Sequence, residues 1–309
     1  MAMRPAAPLT TAVAAAVSAA LLGGALLGAS AARAQSVSLR DDAEREIFLP
    51  APARRVITLA PHATELVYAA GAGARLVATV ESSNYPDAAH RVPRIGQGLV
   101  LDPERIAAYT PDLVIGWQTG RLDPAASTLS RLGVPLYVSA PARLTDLPPA
   151  IRQVGVLMGT QTVAESAAAQ LSERLQKMEG AHAARQPVLR AYVQAGSNPL
   201  YTLNGEHIVS DALRLCGAAN VFASLAAAAP RIGLESVLAA DPDLLIVTDE
   251  REVEAWRQHG LPAARLNRVA VVDPDILFRP GPRMVDAAEQ LCAVLDGIRQ
   301  DTGRSANGR

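Results

Sequence analysis

Apolar positions along this chain fall into two recurring arrangements. Short runs rich in Val, Ile and Leu, bounded by Gly, Pro or polar residues, read as buried strands. These are Arg55–Leu59, Leu76–Val80, Leu113–Trp117, Leu136–Ser139, Leu189–Gln194, Leu244–Thr248 and Arg268–Val272. Between them lie stretches with helical patterning. One follows Ala60-Pro61-His62 and ends at Gly71 and Gly73, one starts at Asp102, one ends at Gly133 and one spans Thr145–Gly159. The second half repeats the theme with His207–Cys216, Gly233–Ala240 and a final helix over Arg283–Ile298.

A longer element divides the two halves. Thr162–Arg185 is rich in helix formers and free of Pro, and Val163, Ala167, Leu171, Leu175 and Met178 recur at helical spacing. Thr162 and Glu165 fit a capping box. Such a helix spans roughly 36 Å at 1.5 Å per residue. A coiled-coil arm would have the same pattern, but strand-and-helix alternation on both sides makes it a strut between two lobes. On either side lie matching blocks, LDPERIAAYTPDLVIGW (Leu101–Trp117) and GLESVLAADPDLLIVTD (Gly233–Asp249), with Glu104 and Glu235 in equivalent places. The expected fold class is therefore α/β, two open and mainly parallel sheets joined by one long rigid helix. The expected organisation is a signal peptide at 1–34, a first lobe at 35–160, the connecting helix at 161–186, a second lobe at 187–300 and a frayed tail at 301–309.

Composition narrows the function classes. With 309 residues, half of them apolar, each lobe can bury a core. A net charge of -1 gives no footprint for nucleic acid or an anionic membrane. Arg4, the small apolar run Leu9–Ala32 and the motif Ala32-Arg33-Ala34 read as an export signal cleaved near Ala34 to leave Gln35 first. No Cys lies near the cut, which disfavours a lipid anchor, so a soluble exported protein is expected. The chain's two cysteines, Cys216 and Cys292, either form one disulfide, which the compartment favours, or remain two buried thiols.

In open parallel sheets, ligands sit beyond the carboxyl ends of the strands. The loops there carry His62, Tyr85, Trp117-Gln118, Asn198–Tyr201 and Asp275–Arg283. The sequence has no G-x-S-x-G, P-loop or His/Cys metal cluster, and Gly96-Gln97-Gly98 lacks the third glycine of a dinucleotide fingerprint. A binder is expected rather than an enzyme, with an exported enzyme using the same cleft as the rival. His62 reads either as an axial metal ligand or as a helix-entry residue bonded to backbone. Trp117 reads as a core aromatic or a stacking surface, and Tyr85 and Tyr201 as anchors or ligand contacts. Arg279 and Arg283, flanking Pro280-Gly281-Pro282, suit an amide- or phosphate-bearing ligand. Glu104 and Glu235 are sufficiently explained by the helix dipole, yet their repetition suits two knobs for a symmetric partner.

The segments RVITLAPHATELVYAAGA, SSNYPDAA, LDPERIAAYTPDLVIGW and LESVLAADPDLLIV carry a resemblance extending from about Arg55 to Leu295. The chain is similar to the substrate-binding proteins of metal-chelate ABC importers. The TEL helix entry and the paired PDL blocks belong to that whole family. The NYP, IGW and SNPLYT segments and the two cysteines narrow the implied ligand to cobalamin, with haem or a ferric siderophore as alternatives. The resemblance implies a helical-backbone metal-receptor fold with little hinge closure, and a monomer in the periplasm. It implies a cleft lined by Tyr85, Trp117, Tyr201, Asp275 and Arg279, with cobalamin as cargo rather than catalyst. Its implied partner is an ABC permease dimer with its ATPase subunits, docked through Glu104 and Glu235. A pairing of Cys216 with Cys292 is implied as well. Aromatics expected around Gln97–Val100, at Ala195 and before Pro230 are absent from this sequence.

Overall fold

The computed structural model describes residues 35–97, 102–117, 122–182 and 184–307. The expected signal peptide with its Ala32–Ala34 motif, Gln118, and 98–101 lie outside the described residues.

The chain opens with an antiparallel hairpin of β1 (Val37–Arg40) and β2 (Glu46–Leu49). No strand pattern announces this hairpin, whose turn carries Asp41, Asp42, Glu44 and Arg45. The charges serve the turn. The buried Asp41 carboxylate accepts from the backbone N–H groups of Ala43, Arg45 and Val138 and from the Arg45 guanidinium. Val37, Ile47 and Leu49 meanwhile point into the core. The first lobe continues with β3 (Val56–Thr58), α1 (Pro61–Ala69), β4 (Leu76–Ala78), α2 (Pro103–Ala108), β5 (Leu113–Gly116), α3 (Leu122–Arg131), β6 (Leu136–Val138) and α4 (Leu147–Met158). Then comes the strut, α5 (Gln161–His182). The second lobe comprises β7 (Leu189–Val193), the small hairpin β8 (Gly196–Ser197) and β9 (Leu200–Tyr201), α6 (Ile208–Leu215) and β10 (Ala218–Asn220). It ends with α7 (Leu234–Ala240), β11 (Leu244–Val247), α8 (Glu250–Gln258), α9 (Pro262–Arg265), β12 (Val269–Val271), α10 (Pro274–Leu277) and α11 (Met284–Asn307). This last helix runs through most of the residues expected as a tail.

Each lobe holds one four-stranded parallel sheet, ordered β4-β3-β5-β6 in the first and β10-β7-β11-β12 in the second. The two orders are the same topology. The repeated Pro-Asp-Leu blocks have the same task in both. Asp112 accepts from the backbone N–H of Arg54 and Arg55 at 2.9 and 3.0 Å, and Asp243 from that of Arg190 at 2.8 Å. Each carboxylate thereby sets the start of its lobe's third strand against the first. Thr110 and Asp241, one residue before the proline in each block, share a left-handed φ of 41°.

The strut is buried along Ala164, Ala168, Leu171, Leu175 and Met178. This face differs from the expected one in the first two turns, where Ala164 and Ala168 replace Val163 and Ala167. Close packing is the reason: a Cβ on Gly155 of α4 would lie 2.3 Å from Ala164 Cβ, so α4 and α5 touch where only small residues fit. Val163 is left 53 % exposed. The expected capping box is also absent, because Thr162 lies inside the helix and Glu165 pairs with Arg152 at 2.7 Å. Toward the second lobe, Arg174 reaches Asp286 at 2.6 Å and Glu289 at 2.9 Å on α11. One continuous apolar cluster joins the inner faces of both sheets through α4, α5, α6 and α11.

Cys216, capping α6, is bonded to Cys292 of α11 across 76 positions of sequence. In the loop-entropy account, a closure of this length stabilises by about 4–5 kcal/mol. Thiol labelling in denaturant without reductant is expected to find no free thiol, and the Cys216→Ser/Cys292→Ser variant to unfold at markedly lower urea. Two labelled thiols, or an unchanged midpoint, would contradict this.

Candidate functional site

The carboxyl ends of β3 and β5 adjoin at the point where the first sheet's strand order reverses, the usual position of a ligand crevice. The chain leaving β3 turns at Pro61 into α1, which places His62 there, and Trp117 follows β5 directly. Their rings meet edge to face, with centroids 5.3 Å apart. His62 is 1 % exposed, and its Nε2–H donates to the Ser139 carbonyl at 3.1 Å. That nitrogen therefore has no lone pair free for a metal. Burial, together with the nearby Arg279 charge, brings the His62 pKa down from 6.5 to about 4, against the opposing pull of the Ser139 bond.

Trp117 and the Ala140–Ala142 turn form one wall of a cavity of about 270 Å³. The second lobe supplies the rest of it, with Asn204, Glu206, His207, Ile208, Ala228 and Pro280. Beside it, groups from both lobes close a polar ring. Glu65 of α1, 2 % exposed in its side chain, accepts from Arg283 Nε at 3.0 Å and Nη2 at 2.6 Å. Arg279 lies 3.7 Å from the same carboxylate, donates to Asn84 Oδ1 at 2.6 Å and pairs with Asp275. Asn84 in turn donates to Asp275 at 2.6 Å. Burial pushes the Glu65 carboxyl up and the two arginines oppose that, Arg283 more strongly. The fork of Arg283 fits an ionised carboxylate.

Tyr85, 44 % exposed, packs its ring 4.0 Å from the Arg283 guanidinium carbon. Its loop is held from beneath by a buried cluster of hydroxyls, Thr58, Thr64, Thr79 and Ser83, linked at 2.7–2.9 Å. The loop bearing Arg279 and Arg283 comes close because Gly281 has no side chain; a Cβ there would lie 3.1 Å from Glu65 Oε2.

Of the residues expected in the cleft, His62 packs on Trp117, and Arg279 pairs with Asp275 beside Glu65, whereas Tyr85 lines a separate cavity of about 360 Å³ with Glu65, Arg283 and the strut residues Leu171 and Arg174. Tyr201 on β9 is exposed and does not line the Trp117 cavity. Glu104 and Glu235 are exposed in the first turns of α2 and α7, equivalent helices of the two lobes. Sequence reading missed Asn84, the clasping role of Glu65, and His207. Glu65 lay within the TEL motif, but only the approach of the second lobe shows its partner. A roomier cavity of about 590 Å³ beside Gln194, Asp249, Glu252 and Trp256 lies wholly within the second lobe and holds none of the expected ligand residues. Among the described residues, no three His, Cys, Asp or Glu side chains are grouped to hold a metal ion.

Two parallel-sheet lobes with convergent groups between them, held by a stiff helix, define a binding protein of the two-lobe type. Sequence comparison agrees: the family described as Periplasmic binding protein matches residues 56–276, and the chain belongs to that family. Its relatives include the Vitamin B12-binding protein of Vibrio cholerae serotype O1, 34% identical over 250 residues, covering 80% of this chain and 90% of the relative. The Vitamin B12-binding protein of Pectobacterium atrosepticum is 32% identical over 250 residues, with coverage of 80% and 90%. Among solved structures, the periplasmic Vitamin B12 binding protein BtuF of Vibrio cholerae superposes with a TM-score of 0.75 at 34% identity, over 80% of this chain and 98% of that one. The periplasmic heme-binding protein RhuT from Roseiflexus sp. RS-1 shares the fold, with a TM-score of 0.71 at 24% identity, over 80% and 99% of the two chains.

The buried neutral His62 has a consequence for stability. Its folded-state pKa lies below the unfolded value, so its contribution is complete above pH 6.5 and is lost as pH falls toward 4. A shift of that size corresponds to on the order of 3 kcal/mol. Urea unfolding at pH 7 and pH 4.5 is expected to show a larger loss for wild type than for His62→Gln. Equal losses would place the acid sensitivity elsewhere.

Proposed function

We propose that this chain captures cobalamin in the periplasm and delivers it to an ABC importer, without catalysing a reaction. The observation that carries this reading is the interlobe site. An aromatic wall at Trp117 and a clamp of Arg279, Asp275 and Asn84 meet between lobes in a chain whose 34%-identical relative is a Vitamin B12-binding protein. A flat macrocycle with amide and phosphate substituents calls for such a pairing of ring face and fixed polar groups. In this reading Trp117, Tyr85, Arg279 and Asp275 touch the ligand, and His62 backs Trp117. Tyr201, exposed on the second-lobe hairpin, meets the part of the ligand that projects beyond the Trp117 cavity. The segment 1–34 is the export signal, 35–160 and 187–300 are the two lobes, and 161–186 is the strut.

Titrating purified protein with cyanocobalamin, haemin and ferric siderophores by calorimetry tests the ligand. Cyanocobalamin is expected to bind, and Trp117→Ala to lose roughly 1–3 kcal/mol of that affinity, as for a buried aromatic anchor. Tight haemin binding with none of cyanocobalamin would replace the ligand. Unchanged affinity in the variant would remove Trp117 from the site.

Delivery rests on Glu104 and Glu235. Two exposed carboxylates in matched positions of lobes fixed by one strut suit a permease dimer with two basic sites, whose ATPase subunits lie on its far side. The double reversal Glu104→Arg/Glu235→Arg is expected to preserve folding and cobalamin affinity but abolish permease binding and cobalamin-dependent growth, with single reversals intermediate. Full transport by the double variant would reduce both residues to helix-dipole partners.

A further inference from the structure

His207 stands at the N-cap of α6, and its Nδ1 accepts the Val209 backbone N–H at 3.2 Å. A ring nitrogen that accepts must hold its lone pair in the plane, so the proton of the neutral imidazole sits on Nε2. Burial keeps the ring neutral, lowering its pKa from 6.5 to about 4. The same ring lines the interlobe cavity with Trp117 and Pro280. Among the described residues only Nδ1 of this ring has a hydrogen-bond partner. The contrast with His62 is direct, since there the Nε2–H is already given to the Ser139 carbonyl.

We infer that His207 is a ligand-contacting, specificity-determining residue of the cleft, presenting a fixed Nε2–H donor to an amide carbonyl or phosphate oxygen on the rim of the bound chelate. This rests on the cobalamin reading above and adds a residue and a bond type to it. The helix cap is what fixes the tautomer. Binding a metal through Nε2 would require the proton to move to Nδ1, and the cap bond would be given up. A neutral donor also suits a ligand whose rim carries carbonyl groups, whereas a cation would favour free carboxylates. The first lobe thus contributes an aromatic face and the second a directed hydrogen bond.

Serine separates the two tasks of this side chain, because it caps a helix well but is too short to reach into the cavity. His207→Ser and His207→Ala are compared with wild type by thermal melting, by calorimetry with cyanocobalamin and by the visible spectrum of the bound chelate. His207→Ser is expected to melt as wild type does, to bind cyanocobalamin about 3- to 10-fold more weakly, the loss of one neutral hydrogen bond, and to leave the spectrum unchanged. His207→Ala is expected to lose both melting temperature and affinity. Wild-type affinity in His207→Ser would overturn the donor. A spectral shift on the same substitution would overturn it in favour of metal ligation. If wild type binds haemin and not cyanocobalamin, the cobalamin reading fails by itself, and the same comparison with haemin decides the donor. Binding of neither ligand by wild type overturns both.

Discussion

The contact on which the cleft depends is the buried ion pair between Glu65 and Arg283. It joins a helix of the first lobe to the loop before the last helix of the second, through two hydrogen bonds of 3.0 and 2.6 Å. The Glu65 carboxylate is withdrawn from water while Arg283 is partly exposed, so it is the carboxylate that most needs its partner. The pair also determines what lies around it. Arg283 is held under the Tyr85 ring, and Arg279 is placed where it can bind Asn84 and Asp275. These polar groups are therefore held across the interface by contacts within the protein itself.

The strut makes that assembly durable. A binding protein whose lobes swung freely would have to re-form the Glu65 pair with each closure. Here the inner faces of both sheets share one apolar cluster through the strut, and ion pairs secure it at each end, Arg152–Glu165 toward the first lobe and Arg174 with Asp286 and Glu289 toward the second. The disulfide fastens α6 to α11, and α6 is the helix that His207 caps. A preformed cleft spends less binding energy on ordering its own side chains.

The internal repeat explains why matched features recur on the two lobes. Both sheets follow one strand order, both third strands are set by an aspartate that accepts from backbone N–H groups, and both preceding helices carry a glutamate in the first turn. The lobes diverge at the cleft itself. The first offers the rings of His62, Trp117 and Tyr85 together with Glu65 and Asn84, and the second offers Asp275 and the two arginines that bind them. Division of labour between similar folds lets one molecule present a matched outer surface and an asymmetric interior.

Much of this was legible in the sequence, because strand and helix periods, the Pro-Asp-Leu blocks and the long run without proline are local signals. They determined the two α/β lobes, the strut between them and the strand-end loops that could carry a site. The first hairpin was not legible because its turn is crowded with charges whose function, holding β6 through Asp41, is nonlocal. The buried face of the strut began one residue later than its apolar pattern suggested, because contact with Gly155 rewards a small side chain over a larger one. Sequence could name His62, Trp117, Tyr85 and Arg279 as candidates but could not say which were partners. Tertiary structure alone decided that Glu65 meets Arg283, that the His62 Nε2–H is given to Ser139 and that His207 lines the cavity shared with Trp117. Each of these is a choice of hydrogen-bond partner between segments distant in sequence, and no local preference of the chain encodes it.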